Sequence, residues 1–381
     1  MMELDLSDPE VLRDPFTAYG RAREQGPVVR LVIPGMPMWA VTRYDDARAL
    51  LADPRFAITG GSFMGIPGVP AEYQPYLRTM SEQDGPDHLR LRRLAAPAFT
   101  ARRAQEFRPS IEPIVEKLLA TPPTDLLADF ATPLPMRVIC ELVGIPEADR
   151  DDWVAWGAIV ASGDGRRLGE AVPGIIEGAK AAIARRPESG MLGDLIRAED
   201  RLTDTELVTL VWQVVLAGQT PANLIANAVA ALWSDAEQLA VLRADPTLLP
   251  GAVDELMRWC GPQLLTVPRY AKEDVDLHGT VVSAGEPVTI AIAAVNRDPR
   301  AYPDADRFDV TRAAATHLGF GHGPHFCLGA AHARVQTEVA LAALLRTDLT
   351  LTADPVDIRV PDPGTWRLST LPVRVSNTHD G

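Results

Sequence analysis

Residues 319–329 read GFGHGPHFCLG, and the chain continues with AAHARVQTEVALAALL. Gly319, Gly321 and Gly323 let the backbone adopt positive φ angles and lie close to a flat partner. From Leu328 onward apolar residues recur at helical spacing, which predicts a helix over 328–346 with Cys327 at its N-terminus. Unpaired N–H groups and the helix dipole at such a terminus favour an anion, so the pattern predicts that Cys327 is a thiolate.

Several roles are open to a cysteine in such a loop. A buried structural thiol is the commonest, and it suits Cys140 and Cys260. A zinc site needs four ligands at standard spacings, and His322, His325 and Cys327 have no second cluster. A Cys–His nucleophile lacks a nearby orienting group, and G-x-G-x-G does not match a dinucleotide loop. A thiolate that ligates haem iron accounts for the glycines, the helix start and the cysteine together.

Composition argues against several classes of function. The 381 residues carry a formal net charge of −14, which opposes general binding to nucleic acid or to anionic membranes. The acidic start MMELDLSDPE does not resemble a secretion signal, and polar residues interrupt the apolar stretch 207–233, so we expect neither export nor a membrane span. The three cysteines lie far apart and form no even disulfide set, which predicts a reducing, cytoplasmic location.

Helical patterns dominate the chain. They cover 101–120, 136–155, 167–186, 203–234, 236–244, 247–260 and 328–346. The strand-like runs are short: PVVRLVI, MWAVTR, TVVSAGEPVTIAIAAV and LPVRVS. Prolines and glycines are scattered rather than gathered into a linker, and no fixed repeat is present, so we predict one domain over 1–381. The predicted class is mainly α with small peripheral β-sheets.

The cysteine loop has the spacing of a known family. Phe320-x-x-Gly323-x-x-x-Cys327-x-Gly329 resembles the haem-binding signature of the cytochrome P450 superfamily, and FGHGPHFCLG is similar to its soluble bacterial branch. Four more segments resemble the family in the same order: DGPDHLRLRRLAAPAFT (84–100), AVDELMRW (252–259), PRYA (268–271) and AVNRDPRAYPDADRFDVTR (294–312). Five matches in the family's order are not expected by chance.

The resemblance implies the cytochrome P450 fold, with haem b held between the long central helix and the helix after the cysteine loop. Cys327 would ligate the iron. The other haem-binding positions would be Phe320, Gly323, Gly329, Ala217 and Gly218 near the ring, and His88, Arg92, Arg269 and His325 at the carboxylates. Buried carboxylates need such donors, although any one arginine alone would be read as a surface charge. His88 and Arg92, four residues apart, would share one helix face.

A charged pair also matches the family. Glu255 and Arg258 are three residues apart on a predicted helix, close enough to pair. The resemblance implies that they form a buried network with Arg312 or its neighbourhood, and that this network holds the cysteine loop in place.

The long helical pattern 203–234 begins with a capping box of Thr-x-x-Glu at 203–206. Its centre reads LAGQTPANLIAN, and Pro221 should kink or open the helix because it lacks an N–H. The family usually has an acid–threonine pair here that helps deliver protons during oxygen activation. Alignment places Thr220 at the alcohol and Gln219 at the acid. Glutamine can hold a water but cannot take up and return a proton, and a kink needed only for packing would give the same pattern.

The resemblance implies a haem-thiolate monooxygenase, which inserts one oxygen atom from O2 into a small molecule. The family's pocket positions fall in 60–82, 153–180, 215–220, 264–267 and near Trp366. They are mostly apolar here, so we expect a medium-sized, largely apolar natural-product intermediate such as a polyketide, peptide or terpene. Gln219 keeps open an atypical haem-thiolate enzyme, for oxidative coupling or peroxide-driven oxidation. A non-enzymatic haem protein is a third hypothesis.

Electrons would come from outside the chain, which has no flavin or ferredoxin module of its own. The resemblance implies a ferredoxin and its reductase, supplied by NAD(P)H. Arg93, Arg102 and Arg103 could meet an acidic ferredoxin despite the overall negative charge.

Overall fold

The structure is a computed structural model, and it describes residues 3–32, 37–59, 68–162, 165–188, 190–198, 201–313 and 316–376. For residues 161, 162, 165 and 166 it describes the backbone alone. Helices make up 57% of the structure and its sheets are small, which confirms the predicted mainly α class. The described residues form two compact units, and each unit is assembled from several segments of the chain.

The helices and strands are numbered in chain order. The helices are α1 Pro9–Arg13, α2 Pro15–Gln25, α3 Tyr44–Ala52, α4 Gly85–Ala95, α5 Ala101–Leu119, α6 Pro133–Val143, α7 Arg150–Ser162, α8 Gly165–Ala184, α9 Gly190–Arg197, α10 Asp204–Ala217, α11 Thr220–Trp233, α12 Ala236–Ala244, α13 Leu249–Cys260, α14 Ile292–Val295 and α15 Ala330–Leu344. The strands are β1 Glu3–Asp5, β2 Val28–Val32, β3 Met38–Val41, β4 Phe56–Ala57, β5 Arg269–Ala271, β6 Val275–Leu277, β7 Thr280–Val282, β8 Pro287–Ile290, β9 Asp348–Leu351 and β10 Val373–Ser376.

Unit 1 is built around a sheet. It takes its described residues from Met1–Phe63, Asn227–Cys327 and Ala353–Ser369. The six strands have the order β1-β2-β3-β8-β5-β4, with β1 parallel to β2 and β3 parallel to β8. Successive side chains of β3 point to opposite faces: Trp39 joins one buried cluster and Ala40 another. The sheet therefore lies between two apolar layers.

The two helices at the start of unit 1, α1 and α2, were not predicted from the periodicity. The Asp8 side chain caps α1 by accepting the N–H of Glu10, and Asp14 caps α2 by accepting the N–H of Thr17. Each cap is followed by a proline at the first helical position, where its missing N–H costs nothing. The two Asp-Pro pairs were the local signal for these helices.

Unit 2 is mainly helical. It takes its described residues from Met64–Ala226, Leu328–Thr352 and Thr370–Gly381. Within it α15 packs on α5, while α7 and α10 pack on α8. Its buried cluster is centred on large side chains such as Met136, Trp153 and Trp212, and its only described sheet is the antiparallel pair β9–β10.

Most predicted helices are confirmed to within a few residues, but 136–155 was wrong as a single helix. It consists of α6 and α7, because Gly144 ends α6 in the left-handed conformation (φ 79°) and Pro146 follows. The predicted strand run 280–295 is also divided. It contains β7, β8 and then the short helix α14.

Among the described residues, one segment, Asp204–Trp233, has the length and apolar character of a membrane span. Within its most apolar window, 56% of the residues are buried inside the structure. This burial is typical of a core helix.

Candidate active site

The long central helical pattern is broken in the middle, as predicted. Its capping box is formed by Thr203 and Glu206, with the Thr203 N–H 2.8 Å from the Glu206 carboxylate. α10 ends at Ala217, and α11 begins at Thr220 after two intervening residues. Pro221 therefore occupies the second position of α11, where a proline is tolerated.

The break packs tightly on two neighbouring helices of unit 2. A Cβ added at Gly218 would lie 2.6 Å from Cδ1 of Ile139 on α6, so a larger residue does not fit without a shift. The Gln219 side chain is 5% exposed, and its Nε2 lies 3.9 Å from the Met136 sulfur. The same Nε2 would be 3.2 Å from a Cβ at Gly157 on α7. The Gln219 amide therefore points into the packing of α6 and α7.

Thr220, the predicted alcohol, is half-buried. Its hydroxyl forms no hydrogen bond with any residue that the structure describes. The hydroxyl is thus available to a bound molecule.

The last two residues of α10, Leu216 and Ala217, are exposed. Leu216 keeps 40% of its surface accessible, an unusual value for a leucine on a long apolar helix.

Two residues that were predicted to bind the haem carboxylates lie on α4 in unit 2. His88 is buried with 2% exposure, and Arg92, one turn later, is half-buried. Both belong to one helix and are four residues apart, as predicted. Arg90 instead forms an ion pair with Glu206 in the first turn of α10, and Arg93 is exposed.

The cysteine loop belongs to unit 1 and is closed by backbone hydrogen bonds. The Cys327 N–H donates to the Phe320 carbonyl over 2.8 Å, and Gly321 and Gly323 both have positive φ angles (73° and 71°). A short 3-10 helix, Gly323–His325, then leads the chain towards Cys327. The predicted left-handed backbone is confirmed at these two glycines, but it was wrong for Gly319, which does not have a positive φ angle.

The helix after the loop begins later than predicted. α15 starts at Ala330 with Gly329 as its N-cap residue, so Cys327 precedes the cap by two residues and is not in the first turn. Gly329 has φ −85°, and a Cβ there would meet no atom of the structure within 4 Å. Neither backbone conformation nor protein packing requires a glycine at this position. The space next to Gly329 fits the close approach of a flat cofactor.

The three thiols differ in their surroundings. Burial raises the pKa of Cys140 and of Cys260 to about 12, and the Cys260 sulfur donates to the Leu256 carbonyl over 3.3 Å. Both are structural cysteines, as predicted. Cys327 is exposed. Among the three cysteines, all of which the structure describes, it is the one that is not buried.

Arg269 and the cysteine loop meet at the end of α3, within unit 1. Arg269 is 6% exposed, and its guanidinium donates to the Leu51 carbonyl over 2.7 Å. A Cβ at Gly323 would lie 2.8 Å from the same carbonyl oxygen. The end of α3 therefore positions both Arg269, which is predicted to bind a haem carboxylate, and the cysteine loop. His325 is half-buried at the end of the 3-10 helix.

A buried polar network supports the segment that enters the loop. Arg258 binds Glu255 through two bonds of 2.6 and 2.8 Å, and Arg312 reaches the same carboxylate at 3.2 Å, as predicted. Arg258 also donates to the carbonyl of Asn296, whose side chain accepts the N–H of Leu318. The charged pair is thus connected to the start of the cysteine loop.

The sequence reasoning missed two side chains that hold this segment: Asn296, and His317, which bonds Asp254 on α13 and accepts the Gly319 N–H. Both lie in segments that were quoted for the family resemblance or stand next to one. Neither residue belongs to a charge pattern in the sequence, and only the tertiary structure brings each one to its partners.

Comparison with known proteins identifies the family. The family model for Cytochrome P450 matches residues 241–374. Cytochrome P450 monooxygenase PikC of Streptomyces venezuelae is 39% identical over 98% of this chain and 94% of its own length. Mycinamicin IV hydroxylase/epoxidase of Micromonospora griseorubida is 42% identical over 86% of each chain.

The fold agrees with this family. The structure of the ligand-free P450 monooxygenase TamI is similar with a TM-score of 0.88 and 36% identity, covering 98% of this chain and 94% of TamI. The chain belongs to the cytochrome P450 family, and it is of the soluble bacterial type. It is a cytochrome P450 monooxygenase with haem b as its cofactor.

Proposed function

We propose that Cys327 is the thiolate ligand of the haem iron, and that the enzyme inserts one oxygen atom from O2 into a medium-sized, largely apolar natural-product intermediate. The observation that carries the proposal is that Cys327 is exposed, in a loop where Gly321 and Gly323 adopt positive φ angles, while the other two cysteines are buried and their thiols protonated. A haem-thiolate centre supplies the oxidising chemistry that unactivated C–H bonds require.

The remaining loop and helix residues would hold the cofactor. Phe320, Gly323 and Gly329 would lie beside the ring from the cysteine loop, with Ala217 and Gly218 at the helix break. His88, Arg92, Arg269 and His325 would bind the two carboxylates, for which arginine forks and imidazole N–H groups are well suited. The burial of His88 and Arg269 supports these roles, because a buried donor is held in one direction.

Thr220 would hold and pass a proton at its Oγ1 atom. The availability of that hydroxyl and the adjacent helix break support this role. Gln219 would contribute differently from a carboxylate. Its amide can hold a water and keep the break in place through Met136, but it cannot carry a proton. An atypical reaction, oxidative coupling or peroxide-driven oxidation, is the second candidate because of this residue.

Electron donors and small-molecule substrates are general partners of bacterial P450 enzymes. We propose a ferredoxin with its reductase as the donor here. Of the predicted docking residues, Arg93 is exposed, Arg102 pairs with Glu106, and Arg103 pairs with Asp194 at 2.7 Å. The pairs of Arg102 and Arg103 reduce the positive charge that these two residues would present to an acidic ferredoxin.

The substrate class is supported by the relatives. One of them is named for the hydroxylation and epoxidation of mycinamicin IV. The apolar positions predicted for the pocket agree with such a molecule, although Gly60–Pro67 of its first loop lie outside the described residues. We further propose that 1–381 acts as a single domain in the cytoplasm, where reduced donors are supplied and thiols stay reduced.

The ferrous–carbon monoxide spectrum tests the ligand. The purified haem-loaded chain is expected to show the thiolate-ligated absorption band, and Cys327→Ser should abolish that band. Cys140→Ser, at a buried cysteine, is the control and should keep it. A thiolate band that survives in Cys327→Ser would refute the assignment.

Labelled dioxygen tests the reaction. Turnover of an accepted substrate with a ferredoxin and reductase should place one labelled oxygen atom in the product. Turnover without label would instead support coupling or peroxide-driven oxidation.

A further inference from the structure

The segment that enters the cysteine loop is held residue by residue within unit 1. The Thr316 carbonyl accepts hydrogen bonds from the hydroxyls of Tyr44 and Tyr302. Two residues on, the Leu318 N–H donates to the Asn296 side chain over 2.8 Å. His317 stands between these two anchors.

His317 is buried, with 6% exposure, and both of its ring nitrogens are engaged. Its Nε2 lies 3.1 Å from Oδ1 of Asp254 on α13, and its Nδ1 lies 3.1 Å from the backbone N of Gly319. A backbone N–H can only donate, so Nδ1 must be the acceptor. The ring proton is therefore on Nε2, directed at Asp254. The two contacts together define the tautomer and the orientation of the ring.

The peptide that His317 holds has little freedom. A Cβ at Gly319 would lie 2.6 Å from Cγ of Met257 on α13, so the backbone is pressed against that helix. The next residue, Phe320, packs its ring on His317 at 5.6 Å between centroids. The Phe320 carbonyl then accepts the Cys327 N–H. A continuous path of contacts leads from Asp254 through His317 and Gly319 to Cys327.

We infer that His317 is a positioning residue for the cysteine: by accepting the Gly319 N–H it fixes the Leu318–Gly319 peptide, and through the adjoining Phe320, whose carbonyl accepts the Cys327 N–H, it fixes the Cys327 backbone and sulfur. The inference rests on the proposed ligation of haem iron by Cys327. His317 itself touches neither cofactor nor substrate in this role. Its effect is on how firmly the sulfur is held.

Two substitutions separate the two contacts of His317. His317→Asn places an amide oxygen where Nδ1 stands, so it keeps the acceptor for Gly319 but cannot reach Asp254. His317→Gln places its amide close to the position that Nε2 occupies in the histidine. It can therefore bond Asp254, but it leaves the Gly319 N–H without its acceptor. The control is His278→Asn, at an exposed histidine that bonds Asp46 on the surface of the same unit.

The ferrous–carbon monoxide spectrum of each haem-loaded variant gives the fraction that lacks thiolate ligation. We expect His317→Gln to raise this fraction about tenfold, as loss of a supporting hydrogen bond does at other metal sites. His317→Asn and the control should stay close to the wild type. An equal fraction without thiolate ligation in His317→Asn and His317→Gln, whether both are normal or both are raised, would overturn the inference.

Amide hydrogen exchange in the wild-type holoprotein provides a measurement that does not depend on folding of a variant. The Gly319 and Cys327 amides should be strongly protected, and fast exchange of either would also overturn the inference. A wild type without the thiolate band but with both amides protected would instead refute the proposed ligation by Cys327. The two failures can therefore be distinguished.

Discussion

Thr220 and Gln219 are adjacent in the chain but differ in their surroundings. The Gln219 amide is buried against the Met136 sulfur, whereas the Thr220 hydroxyl bonds to none of the described residues. An alcohol can both donate and accept a proton in a hydrogen-bonded relay, while a primary amide near neutral pH can only hydrogen-bond. Proton delivery at this break would then depend on the alcohol and on water.

Thr220→Ala should divert electrons from product to peroxide. Loss of a positioned proton donor slows the productive step, so we expect the peroxide formed per reduced cofactor to rise roughly tenfold, with little change in substrate affinity. The ratio of peroxide to product measures the effect. Thr209→Ala is the control, because that hydroxyl only bonds the Thr205 carbonyl one turn back on α10. Unchanged coupling in Thr220→Ala would remove Thr220 from the proton path.

At the residue scale, the sequence allowed prediction of what depends on local spacing. Cys327, His88 and Arg92 could be named because motif and helix period place them. His317 and Asn296 could not, because their partners Asp254 and Leu318 are far away in sequence and come near only in the fold. The direction of the Gln219 side chain was equally hidden, since it depends on packing by α6 and α7.

Among the elements, the break between α10 and α11 is held as much by its neighbours as by Pro221. Gly218 has an ordinary right-handed backbone (φ −74°), so its lack of a side chain matters for space and not for conformation. Its Cβ position is filled by Ile139 and by the Val214 carbonyl. The glycine therefore lets α6 approach the break closely.

Gly218→Ala should destabilise the protein by about 1–3 kcal/mol, because an added methyl group overpacks the contact with Ile139. Gly251→Ala on α13 is the matched control, since a Cβ there meets nothing within 4 Å. That substitution should be neutral or stabilise by up to about 1 kcal/mol through helix propensity. Chemical unfolding of both variants measures the difference. A stable Gly218→Ala would show that α6 does not pack tightly on the break.

Helices were predicted correctly where the apolar periodicity was long. They were missed or wrongly joined where a cap or a glycine determines the end of the helix. α5 and α12 match their predicted ranges because their patterns run without interruption. α6 and α7 were joined in error, since a left-handed glycine ends a helix without altering the apolar pattern around it. α1 and α2 were missed because the local signal for them is an aspartate cap followed by a proline and not an apolar pattern.

For the whole molecule, stability towards acid depends on groups whose pKa lies below its ordinary value. Burial lowers the pKa of His332 to about 4. Its ring packs near Phe99 and Phe107, and its Nδ1 has no hydrogen-bond partner among the described residues. On the surface of unit 1, hydrogen bonds from Arg300 and then Arg23 lower the pKa of Glu24 to about 2.

Through His332, proton linkage makes the free energy of unfolding depend on pH. Between about pH 6.5 and 4 the unfolded chain binds a proton that the folded chain does not, so the free energy of unfolding falls as the pH falls through this window. His332→Leu should remove this loss, which makes the variant more stable than the wild type by up to about 3 kcal/mol at pH 4 and much less at pH 7. Unfolding by denaturant at several pH values measures the difference. A constant difference across the window would contradict the buried neutral imidazole.

The contacts that surround the cysteine loop join parts of the chain that are synthesised far apart in time. Tyr44 and Thr316 are 272 positions apart, and Arg269 and Leu51 are 218 apart. On the ribosome the loop cannot reach its final shape until most of the polypeptide has emerged, and such non-local closure is slow. If Cys327 ligates the iron as proposed, haem capture must wait until this loop has been synthesised and has closed, and an N-terminal fragment that ends before the loop would lack the ligand.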